Sequence, residues 1–223
     1  MATATAYWNE SLECMPREAL VAHQFALLRR QLGHLYERSP FYRRKLAAAG
    51  IHPEAIRGFA ELAAIPFTEK EELRQSQAAH PPWGDFACIE PRDAVRVFQT
   101  SGTTGKPVRV LLSARDWFEN YYEQFSHFRC GFGLTRDDTL YVPFNYGIYV
   151  AWWGFQAAME KAGLLVVPGG GLGSRERLRA MLDWGATAVC GTPSYLLYLA
   201  EIARQNGIDL PGSPIRTVVA AGE

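Results

Sequence analysis

Apolar residues recur at helical spacing along the first part of the chain and collect into short unbroken runs along the rest. From Pro16 to Arg38, Leu20, Phe25, Leu27, Leu28, Leu32 and Leu35 recur with Arg, His and Glu between them. That spacing predicts an amphipathic helix. Ser39-Pro40 reads as a cap followed by Pro at the first helical position, and FYRRKLAAAG ends on Gly50 as a C-terminal stop. Thr68 with Glu71 predicts a capping-box start for a helix running to Gln77. His80-Pro81-Pro82-Trp83-Gly84 then breaks the helical pattern and forms the clearest internal joint.

Beyond the joint the pattern alternates. Val95 to Thr100 and Val108 to Leu112 read as strands on either side of a Gly/Thr/Ser loop. Ser113 with Asp116 opens a helix that places Trp117, Phe118, Tyr121, Tyr122, Phe125 and Phe128 on one aromatic face. Four apolar runs follow, at Leu140–Phe144, Leu164–Val167, Thr187–Cys190 and Thr217–Ala220. Helices are predicted between them, at Ile148–Ala162, Arg175–Trp184 and Ser194–Gln205. Strands separated by helices of this length imply right-handed crossovers and a parallel sheet covered on both faces. The expected organisation is a helical segment over residues 1–80 and an α/β part over 81–223.

Composition narrows the partners. The hydrophobic fraction of 48% and charged fraction of 21% belong to a chain that buries a core. Lys plus Arg and Asp plus Glu are 23 each, a net charge of zero, which speaks against nucleic acid or an anionic membrane surface as partner. Cys14, Cys88, Cys130 and Cys190 form no CxxC pair, so a reducing, cytoplasmic compartment is expected. The histidines form no HxxxH or HExxH pattern, and no metal site is assigned. The N-terminus lacks the basic and apolar regions of a signal peptide. Thr139 to Met159 carries no charge, but Pro143, Asn145, Gly147 and Gln156 interrupt it, so a strand-turn-helix is expected there and not a membrane span.

Chemistry concentrates in Thr100-Ser101-Gly102-Thr103-Thr104-Gly105-Lys106-Pro107. Glycines let backbone N–H groups close around an anion, hydroxyls donate further hydrogen bonds, and the lysine adds a point charge. This is not a Walker A loop: only Thr103 and Thr104 separate the glycines, Pro107 follows the lysine, and VRVLL beyond it is strand-like. The segment is either a strand-loop-strand grip for a polyphosphate or a plain Gly/Thr hairpin turn. Elsewhere, Asp137-Asp138 reads as a solvated turn. Cys190 reads as a buried inert thiol. Arg175, Arg177 and Arg179 read as a solvent-facing helix surface. Tyr146, Tyr149, Trp152 and Trp153 are either pocket-lining or core aromatics.

FQTSGTTGKPVRV resembles the phosphate-loop signature of the adenylate-forming enzymes. IPFTEKEELR, the Tyr146-Gly147-Ile148 turn with Gly154 and Glu160, Gly191-Thr192-Pro193-Ser194-Tyr195 and Ala220-Ala221-Gly222-Glu223 resemble segments of the phenylacetate-CoA ligase branch. They occur in that branch's order from Glu61 to the last residue. The resemblance implies that a carboxylate attacks the α-phosphate of ATP to give an acyl-adenylate and pyrophosphate, after which coenzyme A takes the acyl group. It implies ATP, Mg²⁺ and coenzyme A as reactants, with Thr100 to Lys106 on the phosphates and Ala221, Gly222 and Glu223 on the adenine side. A small aromatic acid is implied near Phe144, Tyr146, Gly147, Gly191, Thr192 and Pro193, and a homodimer for the full-length protein. Gln156-Ala157-Ala158 departs from the bulkier or imidazole-type residues usual in that helix.

The resemblance further implies that the chain stops inside a motif. The adenylation lysine, the ribose-binding aspartate, the Mg²⁺-binding glutamate and a small C-terminal domain are expected beyond residue 223. No catalytic residue is therefore assigned, and the 223-residue chain alone is expected to be inactive. Transfer to a carrier protein or amine, or a non-catalytic nucleotide-binding relic, are the alternatives.

Overall fold

The structure is a computed structural model that describes residues 6–100 and 105–222. The candidate residues Ser101, Gly102, Thr103, Thr104 and Glu223 lie outside the described residues. The chain divides into two compact units, Asn9–Glu119 and the part from Asn120 onward with the short stretch ending at Trp8.

In the first unit, α1 (Glu10–Glu13) is capped by Asn9, whose side chain accepts from the Leu12 amide. α2 (Arg17–Arg38) packs through the Leu32 side of its apolar stripe. Leu27 falls off that face and is 43% exposed. α3 (Pro40–Ala48) starts as the sequence predicts, with the Ser39 hydroxyl accepting from the Tyr42 amide at 3.3 Å. α4 (Lys70–Ala79) starts one residue later than the Thr68–Glu71 pattern implies. Glu72 turns back to the Glu69 amide at 2.7 Å and also holds Lys45 at 2.6 Å, while Glu71 pairs with Arg74. The carboxylate already fixed by the lysine makes the cap. β1 (Ala94–Gln99) and β2 (Arg109–Ser113) form an antiparallel hairpin.

A π-helical stretch, Asp116–Tyr121, leads into α5 (Tyr122–Gly131). The expected single aromatic face does not form. Trp117 is buried against Phe98 at 5.4 Å, whereas Phe118 is 53% exposed. The wider turn shifts the residues before it out of phase with those after it. Beyond it, Tyr121, Phe125, Phe128 and Phe132 follow one another with ring centroids 5.7 to 6.3 Å apart.

The second unit alternates strand and helix: β3 (Thr139–Val142), α6 (Val150–Lys161), β4 (Leu165–Pro168), α7 (Ser174–Asp183), β5 (Ala188–Gly191), α8 (Pro193–Gln205) and β6 (Thr217–Ala220). The sheet order is β4-β3-β5-β6, every pairing parallel. The central strands β3 and β5 are apolar runs because both of their faces are buried, whereas the edge strands β4 and β6 leave Leu165 and Val218 exposed. Leu140, Val142, Ala188, Cys190 and Val219 join α6 and the α5 aromatics in one core. Tyr141 and Val189 point the other way, into a second core with Leu178 and Met181 of α7 and Leu199 and Ala203 of α8. Each fully buried large side chain here contributes about 1.5–3 kcal/mol. β3 ends before the predicted Phe144 because Pro143 offers no N–H to the ladder. Leu164 gives its amide to the Met159 carbonyl and so closes α6 in place of starting β4. Among the described residues no helix is long and apolar enough to cross a membrane.

Two surface readings are corrected. Asp138 is 1% exposed, not solvated. Its carboxylate accepts from the Thr135 amide at 2.7 Å, from the Thr187 hydroxyl and from Arg216. Thr187 in turn accepts from the Thr139 amide at 3.1 Å. This cluster joins the amino ends of β3, β5 and β6. Arg177 is half-buried, because its guanidinium donates to the Gly169 carbonyl at 3.2 Å and the Tyr195 hydroxyl at 2.8 Å.

Candidate functional site

The described flanks of the Thr100–Lys106 loop are held on both sides. Thr100 donates its amide to the Val108 carbonyl at 2.9 Å, and its hydroxyl accepts from the Val108 amide at 3.0 Å. This pair extends the β1–β2 ladder to the loop's base. On the other side Arg74 of α4 donates Nε to the Lys106 carbonyl at 2.9 Å, and Gln77 accepts from the Arg109 amide at 2.8 Å. Gly105 sits at φ +146° with the Arg74 guanidinium over it, so a side chain there would meet both strain and crowding. Lys106 is exposed, and no salt bridge engages it among the described residues. A tip anchored at both ends, with a free ammonium, suits capture of a polyanion.

Arg74 and Gln77 are loop-holding residues that pattern reading missed. Both lie on α4 at i, i+3 spacing, hence on one face. That spacing is the only trace they leave in the sequence.

The second candidate region lies at the carboxyl ends of the parallel strands. From β3 the chain turns to β4 on one side, and from β5 to β6 on the other. Such a reversal opens a crevice between the two strand ends, where open α/β sheets hold ligands. Phe144, Tyr146 and Gly147 follow β3, and Gly191, Thr192 and Pro193 end β5 and open α8. The Ala221 amide reaches the Gly191 carbonyl at 3.1 Å, and Gly222 lies against the Thr192 methyl. The structure thus brings the 191–193 turn and the Ala221-Gly222 segment together.

The aromatic alternatives separate by burial. Tyr146 is 8% exposed and belongs to the core, 4.8 Å from Trp153 edge to face. Phe144 packs on Tyr146 at 5.9 Å and on Trp152 at 4.9 Å. Trp153 donates to the Gly147 carbonyl at 2.6 Å, fixing the turn. Tyr149 is 44% exposed. Burial, reinforced by Cys190 and Glu160, pushes the Tyr146 hydroxyl up to about 12, so it stays neutral near pH 7. Cys190 is fully buried, and burial raises its thiol far above the ordinary range, leaving it inert. Alongside lies an apolar cavity of about 370 Å³, lined by Phe125, Phe132, Trp152, Phe155, Ala221 and Gly222. Its lining offers shape and apolar surface, and no charge.

The profile of the family described as AMP-binding enzyme matches residues 44–223. Phenylacetate-coenzyme A ligase of Thermus thermophilus is 36% identical over 202 residues, covering 90% of this chain and 44% of that protein. The enzyme of the same name from Escherichia coli K12 is 32% identical over 215 residues, covering 96% of this chain and 48% of that protein. A solved structure of 2-hydroxyisobutyryl-CoA ligase with 2-HIB-AMP and CoA superposes with a TM-score of 0.92 at 30% identity, over 98% of this chain and 46% of that one. The chain spans about half the length of the curated relatives it matches.

Proposed function

The chain belongs to the AMP-binding enzyme family, and from that premise we propose that it forms the N-terminal part of an ATP-dependent, AMP-forming acid–coenzyme A ligase acting on a small aromatic acid. The observation that carries the reading is similarity to a phenylacetate-coenzyme A ligase over 90% of the chain at 36% identity. In this reading Thr100 to Lys106 grip the β- and γ-phosphates. The acid's carboxylate attacks the α-phosphorus, the bond to the bridging oxygen breaks, and pyrophosphate leaves. The coenzyme A thiol then displaces AMP from the acyl-adenylate. Like charges must meet in the first step, so the chain contributes positioning and neutralisation through Lys106 and loop donors. Ala221 and Gly222 border the adenine. The 191–193 turn and the apolar cavity beside Gly222 face the acyl group, and the aromatic lining favours an aryl acid.

Family membership also supports Mg²⁺ accompanying ATP, a homodimer of the complete protein and a cytoplasmic location. Among the described residues no three of His, Cys, Asp or Glu come together, so no residue here is assigned to Mg²⁺ and no step is derived through it.

The test is acid-dependent ATP–pyrophosphate exchange by the native gene product, with phenylacetate, benzoate and 2-hydroxyisobutyrate offered separately. Exchange with an aromatic acid, followed by thioester formation with coenzyme A, is expected. Exchange with the hydroxy acid alone would overturn the aromatic assignment, and exchange with none of them would overturn the ligase reading.

A further inference from the structure

A second polar cluster lies at the carboxyl end of the sheet, on the face covered by α7 and α8. β4 runs into Gly169-Gly170-Gly171 before α7 begins. Tyr141 of β3 presses its hydroxyl so close to Gly169 that any side chain there would take the phenol oxygen's place. That hydroxyl is buried and has no hydrogen-bond partner. An unsatisfied buried hydroxyl costs stability that a ligand accepting its proton would recover.

Arg177 reaches the same place. Its Nε holds the Gly169 carbonyl at 3.2 Å and its Nη1 the Tyr195 hydroxyl at 2.8 Å, with the guanidinium 5.9 Å from the Tyr195 ring centre. Ser174 Oγ is 3.4 Å from that hydroxyl. Both of these partners of Arg177 are neutral, and no carboxylate pairs with it among the described residues. A guanidinium carries five N–H donors, so this one keeps donors in hand. Tyr195 accepts from Arg177, and of the two hydroxyl protons on Tyr195 and Ser174 one bridges the pair and the other is left to give. The neighbouring Glu176 carboxylate is engaged by the Gly173 amide at 2.9 Å.

Spare donors therefore gather around Gly169: the guanidinium, the one proton left over by the Tyr195–Ser174 hydroxyl pair and the orphan Tyr141 hydroxyl. We infer that this cluster is a binding site for a phosphate-type oxyanion, separate from the Thr100–Lys106 loop. A tetrahedral dianion presents more acceptor oxygens than a carboxylate and matches a guanidinium with several hydroxyls. The occupant is either inorganic phosphate or a terminal phosphate of a nucleotide co-substrate.

The experiment titrates inorganic phosphate into the protein and follows the backbone amide resonances of Gly169 to Ser174. Saturable shifts are expected, with affinity falling about tenfold or more in Arg177→Gln. Tyr141→Phe removes a hydroxyl that bonds to nothing in the free protein, so it keeps the fold intact should Arg177→Gln disturb it. The ligand-free Tyr141→Phe protein should melt at a higher temperature than the parent yet bind phosphate more weakly. Absence of saturable shifts, or unchanged phosphate affinity in Tyr141→Phe, overturns the site. Titration with coenzyme A and with its 3′-dephospho form distinguishes the sources. Tighter binding of coenzyme A identifies its terminal phosphate as the occupant, and equal binding leaves inorganic phosphate. Lys106→Ala should leave these shifts unchanged, so this test and pyrophosphate exchange fail independently.

Discussion

The hairpin tip around Thr100 and Lys106 and the sheet end around Gly191 and Thr192 are held by opposite means. The tip depends on a few local hydrogen bonds: Thr100 to Val108 at its base, and Arg74 and Gln77 of α4 reaching across to Lys106 and Arg109. The sheet end inherits its position from a parallel sheet whose central strands are buried on both faces and from the Asp138 cluster at their opposite ends. On the proposed function the loop between these flanks is where the ligand sits, and the sheet end is what stays in place. Damage to the first should appear in ligand binding, and damage to the second in stability.

The largest effect is expected at Asp138. Asp138→Ala leaves the Thr135 amide and Thr187 hydroxyl without their acceptor and should cost about 3 kcal/mol, read as a lower urea midpoint. The half-exposed Arg216 keeps its water, which holds the loss below that of a fully buried pair. Burial raises the Asp138 carboxyl, but Thr187, the Thr135 amide and Arg216 outweigh it and hold it below the usual carboxylate value. A group depressed in the folded state stabilises fully above its unfolded value, and that stability is lost as pH falls through the folded one. The parent protein should therefore lose stability on acidification more steeply than Asp138→Asn. Parallel pH profiles would detach Asp138 from the sheet's stability and break the comparison.

Asp138 also marks where sequence reading runs out. The central strands were legible because burial on both faces writes unbroken apolar runs, and Ala188–Gly191 differs from its predicted run, Thr187–Cys190, by one residue at each end. The Thr135–Asp138 turn looks the same whether solvated or buried. Its partners Thr187 and Arg216 stand 49 and 78 residues away, and only the parallel register brings them in. Arg177 repeats the lesson, since alternation with Glu176 says surface while Tyr195, 18 residues on, makes it half-buried. In the candidate site the loop's composition was legible, but the clamps from Arg74 and Gln77 cross 32 residues each.

An intermediate effect is expected at Lys106. Its ammonium is exposed, so Lys106→Ala should leave the urea midpoint unchanged while weakening ATP binding by ~1.5–3 kcal/mol, the worth of a charge-assisted contact. Calorimetric titration of ATP reads this directly. Unchanged affinity would remove Lys106 from the phosphate site, whereas a fall in stability would show that the tip carries part of the fold.

The smallest effect, at Thr100, sharpens the comparison most. Thr100→Val keeps the shape and deletes the oxygen that accepts from the Val108 amide at 3.0 Å. One neutral hydrogen bond is lost at the base of the hairpin, a cost of about 1 kcal/mol in stability. The Thr100 amide still reaches the Val108 carbonyl, so the ladder keeps its register and ATP affinity should fall less than in Lys106→Ala. Thr100→Ser restores the acceptor without the methyl and should recover most of the urea midpoint. That recovery assigns the loss to the hydroxyl and not to packing. If Thr100→Val instead destabilises as much as Asp138→Ala, the hairpin tip is not a local device. Its hydrogen bonds would then belong to the cooperative fold, and the division between an anchored sheet end and a ligand-ready tip would fail.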